Sequence, residues 1–130
     1  MPSNKPSIRF SDIVEQIGNI ESFVEGMDKA SLHNNVMARF AVERAISIIS
    51  EAAVKLGDQA SVYAPDIAWH DIRGIGNVIR HAYDMVSIDL IWDIIEIDLP
   101  PLKVACQKAL LQLNSNAPKP DKNGDPDPIP

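Results

Sequence analysis

The stretch Val36-Met37-Ala38-Arg39-Phe40-Ala41-Val42-Glu43-Arg44-Ala45-Ile46-Ser47-Ile48-Ile49-Ser50-Glu51-Ala52-Ala53-Val54-Lys55-Leu56 decides the fold class. Val36, Phe40, Ala41, Ala45, Ile48, Ile49, Ala52 and Leu56 recur at spacings of three and four, the period of one helical face. The pattern predicts a helix of about 20 residues with a wide apolar arc, and Gly57 follows in the position of a stop. Glu43 and Arg44, inside it, read as a solvated or ion-paired face, or as support for the polar segment described below.

The neighbouring segments read the same way. From Ser7 to Glu25, Phe10, Ile13, Val14, Ile17, Ile20 and Val24 keep helical spacing, and Gly26 is placed to end that helix. Met27 to Asn34 reads as a polar connection and residues 57–64 as a loop. Pro65 or Asp66 starts a short segment in which Ile72, Ile75, Ile79 and Ala82 bury one face. Gly74 and Gly76 each lower helix propensity there by roughly 1 kcal/mol, and permit close packing or a bend. Ser87 is a good N-cap for a helix whose Leu90, Ile91, Ile94, Ile95 and Ile97 face inward. Pro100-Pro101 break or kink that run at Asp98 or Leu99. A last helix, about Leu102 to Leu113, carries Val104, Ala105, Ala109, Leu110 and Leu113.

These elements predict an all-α, up-down bundle of four to five helices over residues 1–113. Residues 114–130 hold five prolines and almost nothing to bury, so they read as a flexible, Pro-rich tail. Several helices are apolar over more than a bundle of this size can cover, and a symmetric dimer is the simplest cover.

Composition narrows the function. The chain has 130 residues and a net charge of −6, which argues against tight, nonspecific binding along a phosphate backbone. No apolar run approaches the roughly 20 residues of a spanning helix, and the first residues lack the apolar core of a signal peptide. A cytoplasmic location with no membrane association is the expectation. Cys106 is the only cysteine and reads as a small buried hydrophobe. No His-x-x-x-His or Glu-x-x-His spacing occurs, so no metal site is expected. Arg73-Gly74-Ile75-Gly76 lacks both the third glycine and the preceding strand of a phosphate-cradling loop.

The chemistry-bearing residues gather in Arg73-Gly74-Ile75-Gly76-Asn77-Val78-Ile79-Arg80-His81-Ala82-Tyr83-Asp84. At about 100° per residue, Arg73, Asn77 and His81 share one drifting stripe, Asp84 stands one turn beyond His81, and Arg80 points about 100° away from it. Imidazole, with an ordinary pKa of about 6.5, moves protons both ways near neutral pH, and guanidinium is a fixed cation suited to phosphate. Together they suit RNA cleavage without a metal: a base takes the 2′-hydroxyl proton, the oxygen attacks phosphorus, and the cation holds the developing charge. DNA lacks that hydroxyl.

The sequence resembles the HepT-like proteins, a branch of the HEPN domains, over about residues 8 to 113. The resemblance rests on Phe23-Val24-Glu25-Gly26-Met27, on Ala41-Val42-Glu43-Arg44-Ala45 with Ser50-Glu51-Ala52-Ala53, and on Trp69 before Ile72-Arg73-Gly74. It rests above all on Gly76-Asn77-Val78-Ile79-Arg80-His81-Ala82-Tyr83-Asp84, followed by Asp98-Leu99-Pro100. It implies a helical homodimer, a metal-independent endoribonuclease toxin with no cofactor, and a composite site where two motifs meet. It also implies an MntA-like nucleotidyltransferase antitoxin that silences the toxin by adding AMP to the tyrosine matched by Tyr83. His81, Asn77 and Tyr83 match the family pattern, while Gly76 stands at its arginine position. Arg80 or Arg73 would then supply the cation. The alternative is a catalytically weakened helical dimer that serves as partner or substrate of the nucleotidyltransferase.

Overall fold

The computed structural model describes residues 5–81 and 87–116, the side chains of His81 and Asn116 excepted. Helix α3 (Val36–Leu56) is its spine. Helix α1 (Pro6–Phe23) packs along one side of α3 and α5 (Trp69–His81) along another, and α7 (Leu99–Asn116) lies against α1. Short helices α2 (Lys29–Asn34), α4 (Gln59–Tyr63) and α6 (Ile88–Asp93) link them, and a π-helical turn, Ile94–Asp98, joins α6 to α7. The described residues contain no strand, as an all-α bundle requires. Among them, no helix is long and apolar enough to cross a membrane.

The core is built from the expected periodicities. Phe10, Ile13, Ile17 and Ile20 of α1 meet Val42, Ala45, Ile46, Ile49 and Ala53 of α3, all buried. Gly57 caps α3 as expected, with a φ of +54° that costs other residues strain. Helix α1 instead ends at Phe23 with Val24 as its cap, and Gly26, φ +78°, serves the turn two residues beyond. Ser87 caps α6 as expected, its Oγ accepting from the Leu90 amide at 3.1 Å.

Two expected connections are helical instead. The segment expected as a polar connection contains α2, started by a capping box: the Ser31 amide donates to Asp28 Oδ1 at 2.8 Å, and the Asp28 amide donates to Ser31 Oγ at 2.9 Å. The Ser31 amide also holds the Asp28 carboxyl below its ordinary pKa. The expected loop at 57–64 contains α4, whose Ala60 is fully buried. In both, one buried side chain fixes a turn too short for periodicity to reveal.

Three apolar faces differ from expectation. On α3 the buried stripe begins at Val42; Val36 and Phe40 stay 51% and 60% exposed. On α6 and the π turn, Ile91 and Ile94 are buried, but Leu90 and Ile97 are exposed. On α7, Val104 is exposed while Leu102, Cys106 and Ala109 face the core, and the helix runs past residue 113 to Asn116.

The proline pair explains the π turn. Pro100 and Pro101 have no N–H, so the Glu96 carbonyl has no donor four or five residues on. The Leu99 amide instead reaches back five residues to the Ile94 carbonyl. The junction falls at Asp98–Leu99, where it was expected, and the run is widened rather than broken.

Candidate functional site

Helix α5 carries the chemistry, and its placement starts at Trp69. The indole Nε1 donates to the Ala64 carbonyl at 2.8 Å, and the ring packs edge-on against Phe10 at 6.2 Å. With the indole buried and its N–H paired, the start of α5 is fixed. Ile72 and Ile79 bury the inner face one and three turns further on. From this anchor α5 packs along α3.

Midway, the two helices come together at Gly76 and Ser50. Gly76 is buried, and a Cβ on it would lie 2.5 Å from Ser50 Oγ and 2.6 Å from Ser50 Cβ. Ser50, itself buried, donates its hydroxyl to the Arg73 carbonyl at 2.7 Å. Gly76 is thus the contact by which α5 seats on α3, and a longer side chain has nowhere to go.

Arg80 lies over the same contact. One turn after Gly76, its guanidinium folds back so that Nη1 stands 3.3 Å from where a Gly76 Cβ would be. A cation therefore covers position 76 although glycine occupies it. Arg73 is half-buried beside this contact, and Asn77 is exposed one turn beyond Arg73. The backbone of His81 is the last described in α5; its side chain, Ala82, Tyr83 and Asp84 lie outside the described residues.

Two further expectations find their place. Cys106 is fully buried, and burial pushes its thiol up to about 12, which leaves no reactive thiolate near neutral pH. Glu43 is half-buried; burial raises its carboxyl, opposed by Arg39 at 4.0 Å, while Arg44 is exposed. Among the described residues, no three His, Cys, Asp or Glu side chains gather as metal ligands do.

Sequence reading missed Ser50 as a partner of Gly76. Its signal was present: a small polar residue between apolar neighbours on α3, and a glycine inside an otherwise helical pattern. It also missed that Asp71, Asp93 and Asp98 converge. Burial raises the Asp98 carboxyl, and the charges of Asp71 and Asp93 raise it further.

Fold and site together define a HEPN-like all-α bundle. The family model described as "Ribonuclease HepT-like" matches residues 13–109, and the chain belongs to this family. A Methanocaldococcus jannaschii protein named as a candidate RNase is 32% identical over 92 residues, 71% of this chain and 84% of that one. A Thermococcus cleftensis protein named as a candidate HepT ribonuclease is 30% identical over 97 residues, 75% of this chain and 88% of that one. A second M. jannaschii candidate RNase is 24% identical over 110 residues, 85% of this chain and 91% of that one. No solved structure matches the chain.

Proposed function

We propose that this chain is a metal-independent endoribonuclease toxin. Membership of the HepT-like ribonuclease family supports the activity class. The observation that carries the residue assignment is the guanidinium of Arg80 folded over Gly76. His81 removes the proton of a 2′-hydroxyl, and that oxygen attacks the adjacent phosphorus. The bond to the 5′-oxygen breaks, and the leaving oxygen takes a proton back from the imidazolium. The products are a 2′,3′-cyclic phosphate and a free 5′-hydroxyl. Arg80, with Arg73 beside it, offsets the charge on the phosphoryl oxygens, and Asn77 positions the phosphate.

The active unit in this reading is a homodimer. Met37, 84% exposed, lies with the exposed Val36 and Phe40 at the N-terminal end of α3. Exposed apolar side chains grouped at one helix end support a second copy there. Tyr83 is the acceptor of AMP from a nucleotidyltransferase antitoxin, two residues beyond the catalytic imidazole, where an added nucleotide would obstruct RNA.

Purified protein incubated with RNA in EDTA tests the proposal. It should produce cyclic-phosphate ends, leave a substrate with 2′-deoxy nucleotides intact, and lose activity as His81→Ala. Cleavage by His81→Ala at the parental rate overturns it. The competing reading, a dimer that only accepts AMP, is favoured by the missing arginine at position 76. It predicts Tyr83 modification by a nucleotidyltransferase with no RNA cleavage by the parent.

A further inference from the structure

On the side of α5 away from Ser50 runs an unfilled groove. Three hollows of about 270, 300 and 420 Å³ are joined through shared walls: Asp71 and Ile75 border the first and second, and Asp66, Ile67 and Pro101 the second and third. One wall is the segment from Tyr63 into α5. The other is α6, the π turn and the first half of α7, from Leu90 to Lys108. Those nineteen residues span on the order of 27 Å at the helical rise.

The walls are apolar and acidic together. Leu90, Val78, Ile97 and Val104 are exposed along them, Ile97 to 64%. Asp66, Asp71 and Asp98 line the middle hollow, and Asp93 adds its charge to the same neighbourhood. None of Asp66, Asp71 and Asp98 has an ion-pair or hydrogen-bond partner among the described residues. The middle of the groove therefore presents acceptors and negative charge, with His70 at one end and Lys108 at the other.

We propose that this groove docks a basic, amphipathic helix of another protein. Its apolar residues would lie on Ile75, Ile97 and Val104, and its lysines or arginines would meet Asp66, Asp71 and Asp98. Helix in groove is the fitting mode, because both walls are largely helical and the described residues offer no strand edge to extend. A helix of about 18 residues matches the span. Two other occupants are disfavoured by charge. RNA would set phosphates against unpaired carboxylates. The chain's own terminus from residue 117 carries Lys119 and Lys122 against Asp121, Asp125 and Asp127, and would be repelled as well. The proposal is independent of the ribonuclease reading, since RNA cleavage is not what its test measures.

The test is fluorescence anisotropy with an 18-residue helix-forming Leu/Lys peptide and its Leu/Glu counterpart, in 0.15 M salt, on the whole protein. The Leu/Lys peptide should bind at least tenfold more tightly than the Leu/Glu peptide. Asp71→Asn with Asp98→Asn should weaken binding tenfold or more. The equal charge change Glu15→Gln with Glu25→Gln, which touches none of the hollows, should change it less than twofold. Ile97→Arg, at an exposed site where folding is not at stake, should abolish binding. Equal weakening by the two charge pairs would show nonspecific attraction to an acidic protein and overturn the proposal. Hydrogen-exchange protection of the groove by an RNA oligonucleotide rather than by the peptide would overturn it too.

Discussion

Gly76 of α5 and Ser50 of α3 meet with no room for another carbon between them, since a Cβ on Gly76 would fall 2.6 Å from the Cβ of Ser50. Gly76→Ala should therefore destabilise the fold although alanine is the better helix former. Overpacking costs about 1–3 kcal/mol, and the propensity gain of roughly 1 kcal/mol offsets only part of it. Gly74→Ala, with nothing within 4 Å of its added carbon, should stabilise by about 0.5–1 kcal/mol. Denaturant titration of the two variants checks the opposite signs. Gly76→Arg should fold poorly, for the same lack of room.

The same contact predicts coupling. Ser50→Gly alone loses the hydroxyl bond to the Arg73 carbonyl and weakens a helix interior. In its presence, Gly76→Ala should cost at least about 1 kcal/mol less than in the parent, because the clashing atoms are gone. A double-mutant cycle measures this. Additive costs would place the strain elsewhere.

Arg80 and Asn77 should separate in kinetics. Arg80→Ala should lower the RNA cleavage rate at saturating substrate by about 10²–10³, the usual effect of removing one charge-stabilising donor. Asn77→Ala should have a smaller effect. Both side chains are exposed, so melting temperatures should move little. Retention of the parental rate by Arg80→Ala would shift the phosphate clamp to Arg73.

Asp98 sets a pH dependence of stability. Burial, then the charges of Asp71 and Asp93, raise its carboxyl above the ordinary 3.8 in the folded chain. The native state thus holds this proton more tightly than the unfolded chain does. The cost of ionising Asp98 is absent below about pH 4, grows as pH rises through the raised value, and is complete at neutral pH. Asp98→Asn should raise the melting temperature by roughly 1–2 °C at pH 7, and by nothing at pH 3.5. Thermal melts at the two pH values check the sign.

Cys106 should be silent toward a thiol reagent in the native protein at neutral pH, and should react with one equivalent once guanidinium unfolds the chain. Its thiol is fully buried and pushed up to about 12. Native-state labelling at the unfolded rate would contradict that burial.

What the sequence could and could not show follows from the range of the interactions. Helical class and the long span of α3 are local, since apolar spacing needs no knowledge of the partner. Which residues of the wide apolar arc were buried was not local. Val36 and Phe40 fit the period yet stay exposed, because burial depends on which other helices reach them. Helices α2 and α4 were hidden because six and five residues cannot display a period. Arg73, Asn77, Arg80 and His81 were legible as a group because they share one helix. The role of Gly76 was not, because its reason sits on α3, more than twenty residues upstream.

The π turn has a consequence for how this chain compares with its relatives. Buried positions from α6 onward run Ile91, Ile94, Leu99, Leu102, Cys106, Ala109: one step of five among steps of three and four. The extra residue between Ile94 and Leu99 is looped into the wider turn instead of rotating everything after it. A relative without the proline pair can drop one residue here, revert to plain α-helix, and keep every inward side chain in phase. A one-residue gap at this point would then mark the loss of the prolines rather than a misalignment, and the acidic groove beside the turn would narrow with it.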